Sequence, residues 1–292
     1  MSALEGLASF ILLMKPGIVA AVLQAGFTGM VLAGRGWPDA RICLICLLSL
    51  FLAAAGSAMI NCVLDAEADR RMARLQARVA ALERAGKGRV LATALAGIAA
   101  SLALAVRYLN PLACLLILAA VLTYTLLYTL CFKRRSPWGA VTGGIPGALP
   151  VLIGYAAAAN AVGLDSLILF TVMLLWQPPH FWCLALEYRR DYRAAGVPVL
   201  PVTHGEGYTR LLIFLYATAL LPASLSLWLF GFCSAWYAGA ALAGGLAFLA
   251  ACWFFTCRSR RFVMAFSASI LYLMLLFAAI VGDICFIQGP PA

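Results

Sequence analysis

The stretch FLAAAGSAMINCVLDAEADRRM, residues 51–72, runs from a segment with almost no polar side chain into a dense group of charges. Asn61, Asp65 and Asp69 follow one another at strict four-residue intervals where the apolar segment ends. On an α-helix such residues lie on nearly the same face, each about 6 Å further along the axis. The stretch therefore predicts a membrane-spanning helix whose end carries a polar stripe out of the bilayer.

The composition of the 292-residue chain is that of a membrane protein, with 65% hydrophobic and only 11% charged residues. The apolar residues form runs long enough to cross a bilayer, about 20 residues each. We therefore predict an all-α polytopic membrane protein, a single domain over residues 1–292. The nine predicted transmembrane helices lie near residues 16–34, 41–64, 90–109, 111–132, 138–159, 163–187, 209–231, 235–257 and 263–287. For the fifth, GGIPGALPVLIGY, a broken helix is the alternative.

Lys and Arg are divided unequally between the two sides of this nine-helix arrangement. If the N-terminus is inside, the cytoplasmic side holds 18 of the 21 basic residues, and the other side holds Arg35, Arg41 and Arg107. Because basic residues collect in cytoplasmic loops, this division predicts an N-in, C-out topology. The net charge of +10 then describes a basic cytoplasmic face, which favours anionic lipids and anionic substrates and not nucleic acid.

A second acidic pair, Glu187 and Asp191, ends the sixth predicted helix on the same side as the first motif. The cytoplasmic loops 65–89 and 188–208 thus each carry an acidic motif, and the offset of four helices predicts an internal repeat whose ends converge on one cavity. Carboxylates together with phosphate oxygens are ligands that Mg²⁺ prefers, so the cavity suits a lipid diphosphate. The alternative is a solvated helix end whose acids pair with their basic neighbours: Arg70, Arg71 and Arg74.

The first motif resembles that of the UbiA superfamily of intramembrane prenyltransferases, N-x-x-x-D-x-x-x-D. Within the superfamily, the chain is most similar to the branch that farnesylates heme B. The supporting stretches are NCVLDAEADRRM, YTLCFKRRSPWGAVTGGIPGALPVLIGY, WQPPHFWCLAL and DYRAAGVPVLPV, with MKPGI near the start. The chain departs from the family pattern at three loop positions, where Leu75 replaces a Thr, Val79 a Pro and Gly139 an Asn.

This resemblance implies Mg²⁺-assisted transfer of the farnesyl group of farnesyl diphosphate to a vinyl group of heme B. The implied Mg²⁺ ligands are Asp65, Asp69 and Asp191, with Glu187, and Asn61 would orient the ion. The implied diphosphate-binding residues are Arg74, Arg78, Lys133, Arg134 and Tyr192. The aromatic candidates for shielding an allylic cation are Tyr124, Tyr128, Trp182 and Tyr192.

His180, in QPPHFW, lies inside the sixth predicted helix, where an ionisable residue is costly and usually functional. The resemblance implies a heme contact for His180, with iron ligation as one form of it, and a satisfied core histidine is the alternative. Gln177 and Trp182 are further candidates for the acceptor pocket. For His204, in the second loop, head-group contact and a plain surface position are equally open.

Two other functions remain open from the sequence: a transporter, and a prenyltransferase that uses an aromatic or quinone-precursor acceptor. Transporter sites lie near the bilayer midplane, whereas these acids cluster at one membrane face, which favours the enzyme. We expect a multi-pass protein of the cell inner membrane whose active site faces the cytoplasm. Its heme product would lead to heme A synthesis or terminal oxidase assembly.

Overall fold

Nine helices in residues 3–288, the part of the chain that the computed structural model describes, are long and apolar enough to cross a membrane. They are Pro16–Gly34, Ala40–Leu64, Lys87–Tyr108, Pro111–Phe132, Gly139–Ala159, Leu164–Glu187, Gly205–Leu229, Ala235–Arg258 and Phe262–Ile287. The described residues contain helices and no strand. The all-α, nine-helix prediction is therefore confirmed, and of the predicted domain 1–292 only residues 1, 2 and 289–292 lie outside the description.

The helices are numbered in chain order. The first nine are α1 (Ala3–Met14), α2 (Pro16–Gly34), α3 (Ala40–Leu64), α4 (Ala66–Asp69), α5 (Gln76–Ala85), α6 (Lys87–Tyr108), α7 (Pro111–Leu122), α8 (Gly139–Thr142) and α9 (Gly144–Ala159). The remaining six are α10 (Leu164–Glu187), α11 (Arg189–Ala194), α12 (Leu200–Thr203), α13 (Gly205–Leu229), α14 (Ala235–Trp253) and α15 (Phe262–Gly282). A 3₁₀ turn (Ala73–Leu75) precedes α5, and π-helical stretches continue α7, α14 and α15: Thr123–Phe132, Phe254–Arg258 and Asp283–Ile287.

Two transmembrane helices begin earlier than hydropathy predicts. Helix α6 starts at Lys87, directly after Gly86 at φ 83°, and α13 starts at Gly205, itself at φ 83°. Their first turns are polar or basic, and such side chains extend towards the membrane surface while their backbone is already helical. A count of apolar residues therefore misses these turns.

The fifth transmembrane segment is a broken helix, as the alternative reading of GGIPGALPVLIGY predicts. Gly143 separates α8 from α9. A Cβ added at Gly143 would lie 2.9 Å from the ring of Tyr128, which is closer than real side chains approach one another. The missing side chain therefore allows α8 to pack directly against the π-helical end of α7.

The transmembrane helices form two groups with separate apolar cores. One core lies among α2, α3, α6, α7 and α9, and the other lies mainly among α10, α13, α14 and α15. Helix α2 packs on both groups, while α9 packs on α10 and joins them. The fourth, eighth and ninth transmembrane segments end in π-helical stretches, and the four-helix repeat stays a prediction.

A close helix crossing joins α2 to α9 through glycines. A Cβ at Gly154 would overlap the carbonyl oxygen of Gly26, and a Cβ at Gly29 would overlap that of Val151. In membranes, small residues at such crossings let two backbones touch, and van der Waals packing then holds the helices together. This crossing fixes α2, and thus the residue that precedes it, against the centre of the molecule.

Candidate active site

The polar stripe of the first motif is buried, and its backbone keeps helical hydrogen bonds from α3 into α4. Asp65 ends α3 and α4 begins at the next residue, yet the Asp65 and Asp69 amides still donate 2.9 Å hydrogen bonds to the carbonyls four residues earlier. Asn61 is 1% exposed, Asp65 0% and Asp69 3%. The side chains predicted to share a face therefore do so inside the protein.

The basic neighbours of the stripe pair differently from the solvated helix end that the sequence left open. Arg70 forms ion pairs with two exposed acids, Glu67 at 2.8 Å and Glu83 at 3.0 Å. Asp69 pairs with Arg78 of α5, whose Nη2 lies 2.5 Å from Oδ2. The solvated-end alternative is wrong, because the acids are buried and their partners come from elsewhere in the chain.

Two cations that follow α7 converge on Asp65. Lys133 donates from Nζ to Oδ2, and Arg134 donates from Nη2 to Oδ1 at 3.2 Å and to the Leu64 carbonyl at 2.7 Å. Burial acts to raise the pKa of Asp65, but attraction to Lys133 and both hydrogen bonds hold the pKa below its ordinary value. Burial likewise acts to lower the pKa of Lys133, but Asp65 holds it above its ordinary value. Both groups are therefore charged at neutral pH.

Arg74 connects the two acidic loops. Its backbone amide donates to Asp191 Oδ2 at 3.3 Å, and its Nη2 donates to the Tyr192 hydroxyl at 2.9 Å. The guanidinium also lies over the ring of Tyr188, 4.6 Å from the centroid. The loops that follow the second and sixth transmembrane helices therefore meet at Arg74.

The four predicted metal ligands do not form a ready-made cage. Within residues 3–288, no group of three or more His, Cys, Asp or Glu residues is arranged to hold a metal ion. Glu187 is exposed at the end of α10 and has no hydrogen bond or ion pair in the described chain. Asp65 and Asp69 are held by cations, and Asp191 is held by Arg74.

An apolar cap joins the two loops above the acids. Its buried members come from both sides of the site and are Met72, Ala185, Tyr192, Val197 and Val199. Leu75, which departs from the family pattern, packs on this cap. Val79 is buried on α5, and a Cβ at Gly139 would meet Lys133 Cα at 3.6 Å, an ordinary contact. The three departures are therefore compatible with the backbone of the loops.

The π-helical continuation of α7 presents aromatic and polar residues together. Its hydrogen bonds reach five residues back, which changes the angular spacing of side chains relative to an α-helix. The rings of Tyr124 and Tyr128 stack at 5.9 Å, and Lys133 N bonds to the Tyr128 carbonyl. Buried Thr129 accepts a 3.1 Å hydrogen bond from Asn61 Nδ2 and donates to the Tyr124 carbonyl. The two tyrosines thus belong to the same hydrogen-bonded element as the acidic stripe.

His180 lies between two aromatic rings at the α10–α15 interface. Its ring stacks at 4.3 Å on both Trp176 and Phe266. Ser269 donates its one hydroxyl proton to the Phe266 carbonyl at 2.6 Å, so it accepts from His180 Nδ1, also at 2.6 Å. In the tautomer that matches this arrangement, Nε2 is the unprotonated nitrogen, which is the form that binds a metal.

The other predicted acceptor residues have different surroundings. Gln177 donates to the Gly144 carbonyl at 3.2 Å across the α9–α10 contact. Trp182 is fully buried and packs edge-on to Tyr216, with ring centroids 5.3 Å apart. His204 is exposed. The enclosed His180 ring also fits the core-histidine alternative, and a heme contact of these residues stays a prediction.

The sequence analysis missed three polar residues of this region. Lys15 donates from Nζ to Asn61 Oδ1 at 2.5 Å, and burial lowers its pKa to about 8. Thr129 binds the other end of the same amide, and Ser269 orients the His180 ring. For Lys15 the available signal is MKPGI, which places a lysine directly before the first transmembrane helix. Nothing in the linear sequence marks Thr129 or Ser269.

Positive charge exceeds negative charge around the acidic stripe. The two buried carboxylates of Asp65 and Asp69 are surrounded by four cationic side chains: Lys15, Arg78, Lys133 and Arg134. Desolvated cations next to hydrogen-bond donors bind phosphate oxygens strongly. The arrangement therefore suits an anion with several negative charges.

Comparisons with known proteins agree with this geometry. The UbiA prenyltransferase family profile matches residues 22–270. A protoheme IX farnesyltransferase from Geotalea uraniireducens is 57% identical over 256 residues, 88% of this chain and 99% of the relative. The Aquifex aeolicus protoheme IX farnesyltransferase is 38% identical, over 94% of both chains.

Solved structures of low sequence identity share the fold. A digeranylgeranylglyceryl phosphate synthase structure superposes with a TM-score of 0.76 at 18% identity, covering 96% of this chain and 99% of that one. A UbiA homologue from Archaeoglobus fulgidus, solved with DMAPP and Mg²⁺, has a TM-score of 0.71 at 15% identity, with 93% and 99% coverage. By its profile match over residues 22–270 and its 57% identity to a relative over most of its length, the chain belongs to the UbiA prenyltransferase family.

Proposed function

We propose that this membrane enzyme transfers the farnesyl group of farnesyl diphosphate to a vinyl group of heme B, releasing diphosphate. The cluster of cations around the buried Asp65 and Asp69 is the observation that carries the proposal, since it suits a diphosphate at the membrane face. The heme acceptor follows from the names of the similar proteins, of which one is 57% identical over most of the chain.

Mg²⁺ fits the residues of the site by the chemistry of their donors. Asp65, Asp69 and Asp191 offer only hard oxygen atoms, and Mg²⁺ commonly takes one or two carboxylates and completes its shell with water and substrate phosphate. A pre-formed cage is therefore not needed. Asp65, Asp69 and Asp191, with Glu187, would hold Mg²⁺, and Asn61 would orient it. When bound, the ion supplies positive charge to the diphosphate as the carbon–oxygen bond breaks.

The side chains of this chain supply the remaining charge and shielding. Arg74, Arg78, Lys133 and Arg134 bind the diphosphate oxygens and neutralise the charge that develops on the leaving group. Tyr192 donates a further hydrogen bond from the apolar cap. Tyr124 and Tyr128 line the path of the prenyl chain with their ring faces, which stabilise an allylic cation.

The acceptor docks below the diphosphate, towards the membrane. The terminal carbon of the vinyl group forms the new bond to farnesyl C1, and water adds to the inner carbon and loses a proton, which gives a hydroxyethylfarnesyl group. His180 presents Nε2 to the heme iron because Nδ1 is held by Ser269. Gln177 and Trp182 of the same helix are the further candidates for the acceptor pocket.

The site faces the cytoplasm of a cell with an inner membrane. Farnesyl diphosphate and heme B are its substrates, and heme A synthesis or terminal oxidase assembly uses the product. The membrane face that carries the acids also carries most of the basic residues, as the positive-inside rule requires of a cytoplasmic face.

The deciding experiment is mass spectrometry of heme extracted from cells that express the chain. We expect heme B to gain a hydroxyethylfarnesyl group, and the Asp65→Asn variant to leave heme B unmodified. A prenylated quinone precursor in place of modified heme would assign the other acceptor class. Uptake of a labelled solute without any prenylated product would favour a transporter.

A further inference from the structure

Lys15 completes a hydrogen-bonded chain that runs through the first acidic motif. A lysine ammonium has three donors and no acceptor, so the atom of the Asn61 amide that faces it, at 2.5 Å, is the oxygen. The amide nitrogen must then point the other way, where it donates to Asp65 Oδ2 at 2.8 Å and to Thr129 at 3.1 Å. Lys15 thus fixes the direction of the amide from its oxygen side.

The backbone at Lys15 is unusual in a way that serves this contact. Lys15 lies between α1 and α2 with φ 56° and ψ 66°, in the left-handed region that non-glycine residues seldom occupy. Both helices that flank it are held in place: Leu13 of α1 packs in a core shared with α3 and α5, and α2 crosses α9 backbone to backbone. Strained backbone of this kind clusters at functional sites. Here the Lys15 side chain is directed towards Asn61 of α3.

We propose that Lys15 is a positioning residue of the reaction, which holds the Asn61 oxygen so that the Asn61 amide nitrogen stays directed at Asp65. The inference rests on the proposed function, because it assigns Lys15 a part in the binding and ionisation of the prenyl diphosphate. Lys15 acts through Asn61, and its effect therefore depends on Asn61.

The test compares Lys15→Met, Lys15→Gly and Lys15→Arg for pyrophosphate release from farnesyl diphosphate with heme B and Mg²⁺. Lys15→Met removes the amine, and Lys15→Gly removes it while relieving the left-handed backbone. Lys15→Arg keeps a cationic donor. The control is Lys87→Met, since Lys87 is exposed at the start of α6. Thermal unfolding in detergent reports whether each variant folds.

We expect kcat to fall by about tenfold or more in both Lys15→Met and Lys15→Gly, as for removal of a residue that orients a ligand of the site. Lys15→Arg should recover part of the rate, and Lys87→Met should leave it unchanged. In an Asn61→Ala background, Lys15→Met should add less than about a twofold further loss, because coupled residues are not additive.

Three results would overturn the inference. Full activity of Lys15→Gly would mean that the backbone conformation matters and the amine does not. Full activity of Lys15→Met would mean that the Lys15 side chain has no role in the reaction. Losses that multiply in the Asn61→Ala background would show that Lys15 acts independently of Asn61. The proposed function fails in a different way, since the wild-type chain would then release no pyrophosphate.

Discussion

Asp65 is a fully buried acid that forms ion pairs with two cations. Lys133 and Arg134 both donate to it. We predict that Asp65→Asn abolishes prenyl transfer and also lowers the free energy of unfolding by about 1–3 kcal/mol, because it leaves the partly buried Lys133 without a counter-charge. The measurements are pyrophosphate release and thermal unfolding in detergent. Asp69→Asn should act in the same way through Arg78.

A second substitution separates catalysis from stability in this prediction. Asp65→Asn combined with Lys133→Met should regain stability, because the uncompensated ammonium is gone, while transfer stays absent. The matched control is Glu67→Gln, which alters an exposed acid two residues away, and it should change neither quantity. Normal transfer by Asp65→Asn would contradict the assignment of Asp65 to the site.

His180 gives a second prediction at the residue scale. His180→Ala should weaken heme binding and shift the Soret band of the purified complex, because Nε2 is free for the iron while Nδ1 is held by Ser269. Mg²⁺-dependent binding of a non-ionising farnesyl diphosphate analogue should stay intact. An unchanged Soret band and heme affinity would show that His180 is a core residue without a heme contact. Equal loss of heme and analogue binding would indicate collapse of α10.

Ser269 allows a finer test of the same contact. Ser269→Ala should weaken heme binding by about tenfold, since partners that orient a histidine ligand commonly contribute this much. The comparison variant is Thr218→Ala, which removes an exposed hydroxyl bonded only to the Phe214 carbonyl of its own helix. Heme titration followed by absorbance measures both. Equal affinity in the two variants would show that the His180–Ser269 bond does not orient the ring.

At the scale of the element, the α2–α9 crossing decides whether the site can form. Gly154→Ala places a methyl group where the Gly26 carbonyl lies, and overpacking of this kind costs about 1–3 kcal/mol. We predict a lower thermal unfolding temperature and reduced transfer. Gly239→Ala is the control, because nothing lies within 4 Å of a Cβ at that position of α14. Similar stability of the two variants would contradict a close backbone contact between α2 and α9 at Gly154.

The whole molecule has an orientation that a reporter can determine. A periplasmic reporter fused after Ala292 should be active, and one fused between Arg78 and Arg89 should be inactive, because the latter segment carries the main basic loop. Cytoplasmic reporters at the same two points serve as the controls and should give the reverse. The opposite pattern would show that both acidic loops lie on the other side of the membrane.

The transmembrane helices were predictable because each depends on a local property of the chain. A run of about 20 apolar residues is sufficient to cross a bilayer, and all nine predicted helices are present in the described residues. The short helices α1 and α5 were not predicted. Each is too short to span a membrane, and α5 is stabilised by packing on α1.

The sequence by itself also determined the acidic framework, since the positions of Asn61, Asp65 and Asp69 on one face follow from helix geometry alone. Only the tertiary structure decided their partners. Arg78, Lys133 and Lys15 come from three different segments of the chain, and the choice among many basic residues depends on which helices pack together. Helix periodicity acts over a few residues, whereas a buried charge takes the partner that the packed helices bring within hydrogen-bonding distance.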